Sequence, residues 1–226
     1  LLEAAMRIAA ELGLYQIPED GTYVEYVPRS TIHELIYELS GIKIENPIID
    51  TMYPNGISLY IGIPFCPTRC LYCSFVSNSG DKSAKLIPAY IESLKKEIAY
   101  TAEIIKENGH IIETVYIGGG TPTTLDAYLL DDLFETMFKQ FDLSRIKEFT
   151  VEAGRPDTVT CEKLNTIKKY GIDRISINPQ SMNEEVLRTI GRNHTPEDIK
   201  KAFYMARDCG FKNINMDIIA GLPGET

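Results

Sequence analysis

From Ile57 onward, short β-rich runs alternate with longer amphipathic stretches, and that alternation limits the fold more than any other feature of the chain. Strands are predicted over 57-63, 113-118, 148-153, 173-177 and 213-219. Between them Ile91, Leu94, Ile98 and Ile105 line one helix face, Leu129, Leu133, Met137 and Phe141 a second, and Leu164 and Ile167 a third that stops before Gly171. Two more helices precede the fifth strand. Asn183 caps the first, Glu184-Ile190, and Thr195-Pro196-Glu197-Asp198 gives the second a cap and an N1 proline. Five βα-type units without a doubling-back hairpin imply right-handed crossovers, in an open doubly wound sheet or in part of a barrel. The strand ends favour the barrel. A cysteine cluster follows strand one, Gly118-Gly119-Gly120-Thr121-Pro122-Thr123 follows strand two, Glu152 ends strand three, Asn178 and Gln180 follow strand four, and Asp217 lies in strand five. Polar residues that merely end strands would account for one or two of these, whereas a barrel gathers all five on its catalytic rim.

Ahead of this pattern, residues 1-13 (Leu2, Met6, Ala9, Leu12) and 31-40 (Ile32, Leu35, Ile36, Leu39, behind a Thr31…Glu34 capping box) read as amphipathic helices stopped by Gly13 and Gly41. The stretch 46-56 holds two prolines and a glycine without helical periodicity, so residues 1-56 are expected to form a small N-terminal helical extension and 57-226 the core domain. The chain begins Leu1-Leu2-Glu3 rather than with Met, and reads as a fragment; Glu3 and Glu11 spoil a signal-peptide reading. No apolar run approaches the roughly 20 residues that a membrane span requires. With 23 Lys+Arg against 32 Asp+Glu, a net charge of -9, the chain is ill suited to gripping a phosphate backbone, so nucleic acid is not an expected partner. A local basic pocket for an acidic small molecule remains compatible with that balance.

Five cysteines are present, and three of them, Cys66, Cys70 and Cys73, fall within eight residues as C-x3-C-x2-C, while Cys161 and Cys209 stand apart. That is no disulfide framework; crowded thiols suit a metal in a reducing, cytoplasmic setting. Three thiolates in one loop can clasp a soft metal centre. Zinc would need a fourth ligand, from Cys161, Cys209 or one of His33, His110 and His194. A cubane iron-sulfur cluster held by three cysteines would instead leave one iron open to a ligand. Glycines 118-120 fit a tight turn or a ligand cradle, and the Lys of a nucleotide-binding P-loop is absent. Glu152 ends an otherwise apolar strand, where a cationic group on a ligand is a natural partner.

A CxxxCxxC loop after a first barrel strand resembles the radical S-adenosylmethionine superfamily. Tyr60-Ile61-Gly62-Ile63-Pro64-Phe65-Cys66, Gly118-Gly119-Gly120-Thr121-Pro122-Thr123, Glu152, Asn178-Pro179-Gln180, Gly191-Arg192-Asn193-His194-Thr195 and Met216-Asp217-Ile218-Ile219-Ala220-Gly221-Leu222-Pro223 follow the order of oxygen-independent coproporphyrinogen III oxidase-like proteins, over roughly 57-226. Leu71-Tyr72-Cys73-Ser74-Phe75, Glu152-Ala153-Gly154-Arg155-Pro156-Asp157 and Arg174-Ile175-Ser176-Ile177-Asn178-Pro179-Gln180 look most like the coproporphyrinogen dehydrogenase branch of the HemZ type. The resemblance implies a partial (β/α)6 TIM-like barrel, truncated after the fifth strand. The family's sixth strand and C-terminal domain lie outside this chain, and the fragment alone is expected to be inactive.

By the same resemblance, Cys66, Cys70 and Cys73 would bind three irons of a [4Fe-4S] cluster, with S-adenosyl-L-methionine chelating the fourth. Reductive cleavage there gives methionine and a 5′-deoxyadenosyl radical. Gly119, Gly120 and Thr121 match the cradle for the methionine part, Tyr60 a position near cluster or substrate, and Tyr72 one near the adenine; core packing is the competing role for both tyrosines. Gln180, Arg192 and Asp217, with Glu152, match further cofactor contacts; an internal Arg192–Asp217 salt bridge is the alternative. The implied reaction converts two propionates of coproporphyrinogen III to vinyl groups, giving protoporphyrinogen IX in haem biosynthesis, with an electron donor such as flavodoxin or ferredoxin. Arg69, Arg155 and Arg188 are candidate cations for that anionic substrate, and the lysine pairs at 95-96, 168-169 and 200-201 are expected on outer helix faces. Phe75 stands where the best-known oxidases carry a further cysteine, and a haem chaperone of the same family, without oxidase activity, is the competing identity. A radical enzyme acting on tRNA is disfavoured by the acidic charge and the lack of a basic, aromatic stripe.

Overall fold

In a computed structural model, residues 53, 55–75 and 78–225 are described. The helices expected over 1-13 and 31-40 lie outside them. Seven strands occur among the described residues: β1 (Gly56–Ile63), β2 (Phe65–Cys66), β3 (Asn78–Ser79), β4 (Ile111–Gly119), β5 (Glu148–Glu152), β6 (Arg174–Ser176) and β7 (Asn213–Asn215). The helices are α1 (Asp81–Ala84), α2 (Ile87–Glu107), α3 (Ala127–Gln140), α4 (Cys161–Lys169), α5 (Glu184–Thr189) and α6 (Pro196–Asp208). Two 3₁₀ turns, Pro122–Thr124 and Pro156–Thr158, follow β4 and β5. The main sheet runs β1-β4-β5-β6-β7, every neighbouring pair parallel. Strand order therefore follows chain order without the reversal that defines a doubly wound sheet, and the barrel-type arrangement is the one adopted.

Because strand side chains alternate between faces, register decides what each face can do. The row Ile61↔Ile117↔Val151↔Ile175↔Ile214 crosses all five strands and is apolar throughout. It faces the helices, where Ile91, Leu94 and Ile98 of α2, Leu130, Leu133 and Met137 of α3, and Leu164 and Ile167 of α4 join the same core. Each such side chain contributes about 1.5–3 kcal/mol when fully buried. One residue back in every strand, Tyr60↔Tyr116↔Thr150↔Arg174↔Asn213 points to the opposite face and is polar or aromatic throughout. There Arg174 Nη1 donates to Thr150 Oγ1 at 2.9 Å and to Glu148 Oε1 at 3.3 Å. The sheet thus packs its helices with one face and keeps the other for polar chemistry.

The helix starts follow from the caps read in the sequence. The Asn183 side chain accepts from the Glu185 and Val186 amides, and Thr195 and Asp198 form a reciprocal capping box at the head of α6. The last two strands are shorter than expected: β6 is Arg174–Ser176 rather than 173-177, and β7 is Asn213–Asn215 rather than 213-219. Pro179 is the cause, since it has no N–H to give the ladder. Pairing resumes beyond it, with the Gln180 amide donating to the Asp217 carbonyl at 2.9 Å and the Ile219 amide to the Gln180 carbonyl at 2.9 Å, as an isolated bridge between Gln180 and Ile218. Gln180 takes φ 66° there, a left-handed conformation that non-glycine residues rarely adopt. Asp217 accordingly sits past the end of β7, not within a strand.

Candidate active site

The cysteine loop leaves β1 and is fastened on two sides. β2 pairs in parallel with β3, setting Cys66 opposite Ser79, and the Asn78 amide donates to the Pro64 carbonyl at 2.8 Å. The glycine turn at the end of β4 lies against the same backbone: the Gly120 amide donates to Ile63 O at 2.8 Å and the Thr121 amide to Phe65 O at 2.7 Å. A Cβ on Gly120 would stand 2.6 Å from the Phe65 carbonyl oxygen and 2.9 Å from that of Ile63. Its missing side chain is therefore required by the close approach of the cysteine loop's own backbone. On the far side, the Leu71 amide donates to Ile190 O at 3.0 Å and Thr68 Oγ1 to Gly191 O at 3.4 Å. Cys70 is buried, and Cys66 and Cys73 are half-buried.

The twelve residues assigned to cluster or cofactor, Tyr60, Cys66, Cys70, Tyr72, Cys73, Gly119, Gly120, Thr121, Glu152, Gln180, Arg192 and Asp217, line one cavity of about 300 Å³. Cys66 Sγ lies 3.4 Å from Thr121 Oγ1. Arg192, 6% exposed, does not pair with Asp217: its Nη1 donates to the carbonyls of Gly154 (3.1 Å) and Asn178 (2.8 Å), and its Nη2 to the Tyr72 hydroxyl (3.1 Å). That leaves the buried Nε–H of Arg192 without a protein acceptor. Asp217 instead accepts from Asn215 Nδ2 at 2.8 Å, and its amide donates to Asn178 Oδ1 at 3.3 Å. Tyr60 is exposed and stacks on Tyr116 at 5.9 Å, so core packing is not its role.

Two lining residues, Tyr116 and Thr68, were not singled out by sequence. Tyr116 and Asn178 reach the cavity from the polar side of the sheet, Asn178 donating to Glu152 Oε1 at 3.3 Å, and Thr68, Phe75 and Arg155 complete the wall. The signal for Tyr116 was the strand alternation, which places it beside Tyr60. Of the arginines expected to meet an anionic substrate, Arg155 is buried and Arg188 is ion-paired with Glu184 on α5. Arg69, in the cysteine loop, is exposed.

Glu152 holds its proton up to about pH 7: burial raises the carboxyl and the nearby Asp217 charge adds to that, against the opposing pull of Arg192 and the Gly119 amide. An unfolded Glu titrates near 4.3. Between those values the folded chain holds a proton that the unfolded chain has released, so stability falls as pH rises from about 4.5 to about 7. Glu152→Gln is expected to abolish that loss, about 1–2 kcal/mol after allowing for solvent at the cavity mouth. Urea midpoints of the two apo-proteins at pH 5 and pH 8 measure it; equal pH dependence in both would contradict the assignment. A ligand ammonium placed at Glu152 would reverse the balance and expel the proton.

No group of three or more His, Cys, Asp or Glu side chains among the described residues is placed to hold a metal ion. A single zinc needs its sulfurs to converge at about 2.3 Å from one point. A cluster in which each thiolate binds a different iron has no such requirement, and three cysteines around one cavity suit it.

These features define a class, and comparison with known proteins agrees. The model of the Radical SAM superfamily matches residues 60–226, and the chain belongs to that superfamily. It is 49% identical over 172 residues to the oxygen-independent coproporphyrinogen-III oxidase-like protein HemZ of Bacillus subtilis (strain 168), covering 76% of this chain and 34% of that protein. It is 38% identical over 170 residues to the heme chaperone HemW of the same organism, covering 75% and 44%. The solved structure of the Escherichia coli coproporphyrinogen III oxidase HemN, described as a radical SAM enzyme, superposes with a TM-score of 0.67 at 29% identity, over 78% of this chain and 40% of that one. The chain thus spans between about a third and under a half of the length of these relatives. No described helix is long and apolar enough to cross a membrane.

Proposed function

We propose that this chain is the cluster- and cofactor-binding part of a cytoplasmic radical S-adenosylmethionine oxidoreductase acting on coproporphyrinogen III. The observation that carries the reading is the convergence of the three cysteines, Glu152, Arg192 and Asp217 on one cavity at the ends of parallel strands. Bound there, a [4Fe-4S] cluster and S-adenosylmethionine supply one-electron reductive cleavage of a sulfonium, and with it a carbon-centred oxidant. Cys66, Cys70 and Cys73 hold the cluster from a loop anchored on both flanks. Glu152 is poised to take up a ligand ammonium, and the unpaired Nε–H of Arg192 to meet a ligand carboxylate. Asp217 and Gln180 face the same cavity with acceptors for hydroxyl groups.

The exposed rings of Tyr60 and Phe75 at the cavity offer an apolar macrocycle a surface, and Arg69 is the remaining candidate for a propionate. In the proposed reaction each of two propionates gives a hydrogen atom to the carbon-centred oxidant and one electron to an external one-electron acceptor, releases CO2 and becomes a vinyl group, and flavodoxin or ferredoxin reduces the cluster. The HemW relatives favour a second reading, haem binding without turnover. The two separate in one assay: the complete protein, anaerobic and reduced, is given coproporphyrinogen III, and separately haem. Vinyl products together with 5′-deoxyadenosine support the oxidase; stoichiometric haem binding with no porphyrin product supports the chaperone and withdraws the oxidase.

A further inference from the structure

Arg155 was expected to face an anionic substrate, yet it is 2% exposed and fully committed. Asp157, two residues on, accepts from its Nε and Nη2, both at 3.1 Å, which fixes the guanidinium plane. The remaining nitrogen, Nη1, points across the cavity wall to the cysteine loop, 3.0 Å from Thr68 Oγ1, 3.4 Å from the Thr68 carbonyl oxygen and 3.7 Å from Cys70 Sγ. The arginine's own turn cannot drift. Thr158 Oγ1 donates to the Arg155 carbonyl at 2.8 Å and lies 2.6 Å from Thr123 Oγ1, and Lys163 Nζ donates to the Thr123 carbonyl at 2.7 Å. The fold thus delivers a permanent cation to one cysteine sulfur through a braced 3₁₀ turn, away from solvent that would screen it.

We propose that Arg155 is a positioning residue of the cluster site, donating to the Cys70 sulfur and thereby setting how readily the bound centre accepts an electron. This rests on reading Cys70 as a cluster ligand. A charged N–H donor on a ligand sulfur withdraws charge from the irons and stabilises the reduced, more negative state, so it raises the reduction potential. Asp157 aims the donor but offsets part of its charge. The two side chains therefore push the potential in opposite directions, which a purely structural brace would not do.

The test is an EPR-monitored redox titration of the complete, anaerobically reconstituted protein, with iron and sulfide content and apo-protein unfolding measured alongside. Arg155→Met is expected to weaken one-electron reduction about tenfold, a fall of about 59 mV. Asp157→Asn, which keeps a side-chain acceptor for Nε, is expected to move the potential upward, and Arg155→Lys to recover part of the loss. A wild-type protein without a cluster would overturn the ligand reading and the proposal with it. A wild-type cluster with potentials unchanged within twofold in Arg155→Met would overturn the proposal alone. Should Arg155→Met fail to retain iron, Asp157→Asn decides: an unchanged or lowered potential there overturns it as well.

Discussion

Cys70→Ala is expected to strip the reconstituted protein of its iron and sulfide while leaving it folded. Cys70 is 9% exposed and small, so its loss as a packing group costs about 1 kcal/mol, within what a core of this size tolerates. As one of three proposed ligands it has no substitute: Cys161 is exposed and Cys209 half-buried, and neither lines the cavity. Reductive cleavage of S-adenosylmethionine should fall by about 10³-fold or more, since the chemistry belongs to the cofactor and not to the remaining side chains. Cys161→Ala and Cys209→Ala should keep wild-type iron. Iron and sulfide analysis beside the visible absorption spectrum checks all three. Full iron retention in Cys70→Ala, or its loss in Cys161→Ala, would contradict the ligand assignment.

Gly120→Ala is expected to be the most damaging single methyl group in the described domain. The added Cβ would meet the Phe65 carbonyl oxygen at 2.6 Å, the Ile63 carbonyl oxygen at 2.9 Å and the Phe65 nitrogen at 2.9 Å. All three are backbone atoms. Two of them also accept the hydrogen bonds that tie β4's end to the cysteine loop, so no rotamer change relieves the contact. A loss of about 3 kcal/mol or more is expected, together with failure to assemble the cluster. Gly171→Ala is the matched control: it has φ +74° but open space around it, so only backbone strain of about 1–2 kcal/mol applies. Urea unfolding of the apo-variants measures both, and a Gly120→Ala protein within 1 kcal/mol of wild type would refute the packing argument.

The class of fold and the site were legible because their determinants are local in sequence. Strand-end chemistry recurs at five places, and the caps at Asn183 and Thr195 mark helix starts that the structure reproduces. What escaped depends on contacts across the fold. Pro179 itself signals that the ladder will break, but nothing near it says that pairing will resume at Gln180 with φ 66°, because that depends on how the chain after β7 lies beside it. Arg155 read as a cation for an anionic substrate because its partner Cys70 lies 85 residues away. That the cysteine loop also needs Gly120 bare was not visible, because the backbone that crowds it belongs to a different strand end. The polar row through Tyr60, Tyr116 and Thr150 was within reach of simple alternation, and it explains why this sheet has a face free for chemistry.

The central claim is that Cys66, Cys70 and Cys73 hold a cluster with one iron left for an exogenous ligand. Low-temperature EPR of the anaerobically reconstituted, dithionite-reduced protein, recorded with and without S-adenosylmethionine, tests it most directly. The account predicts a [4Fe-4S] signal that changes shape and g-values when the cofactor is added. A signal indifferent to the cofactor, or stoichiometric zinc in place of iron, would contradict it.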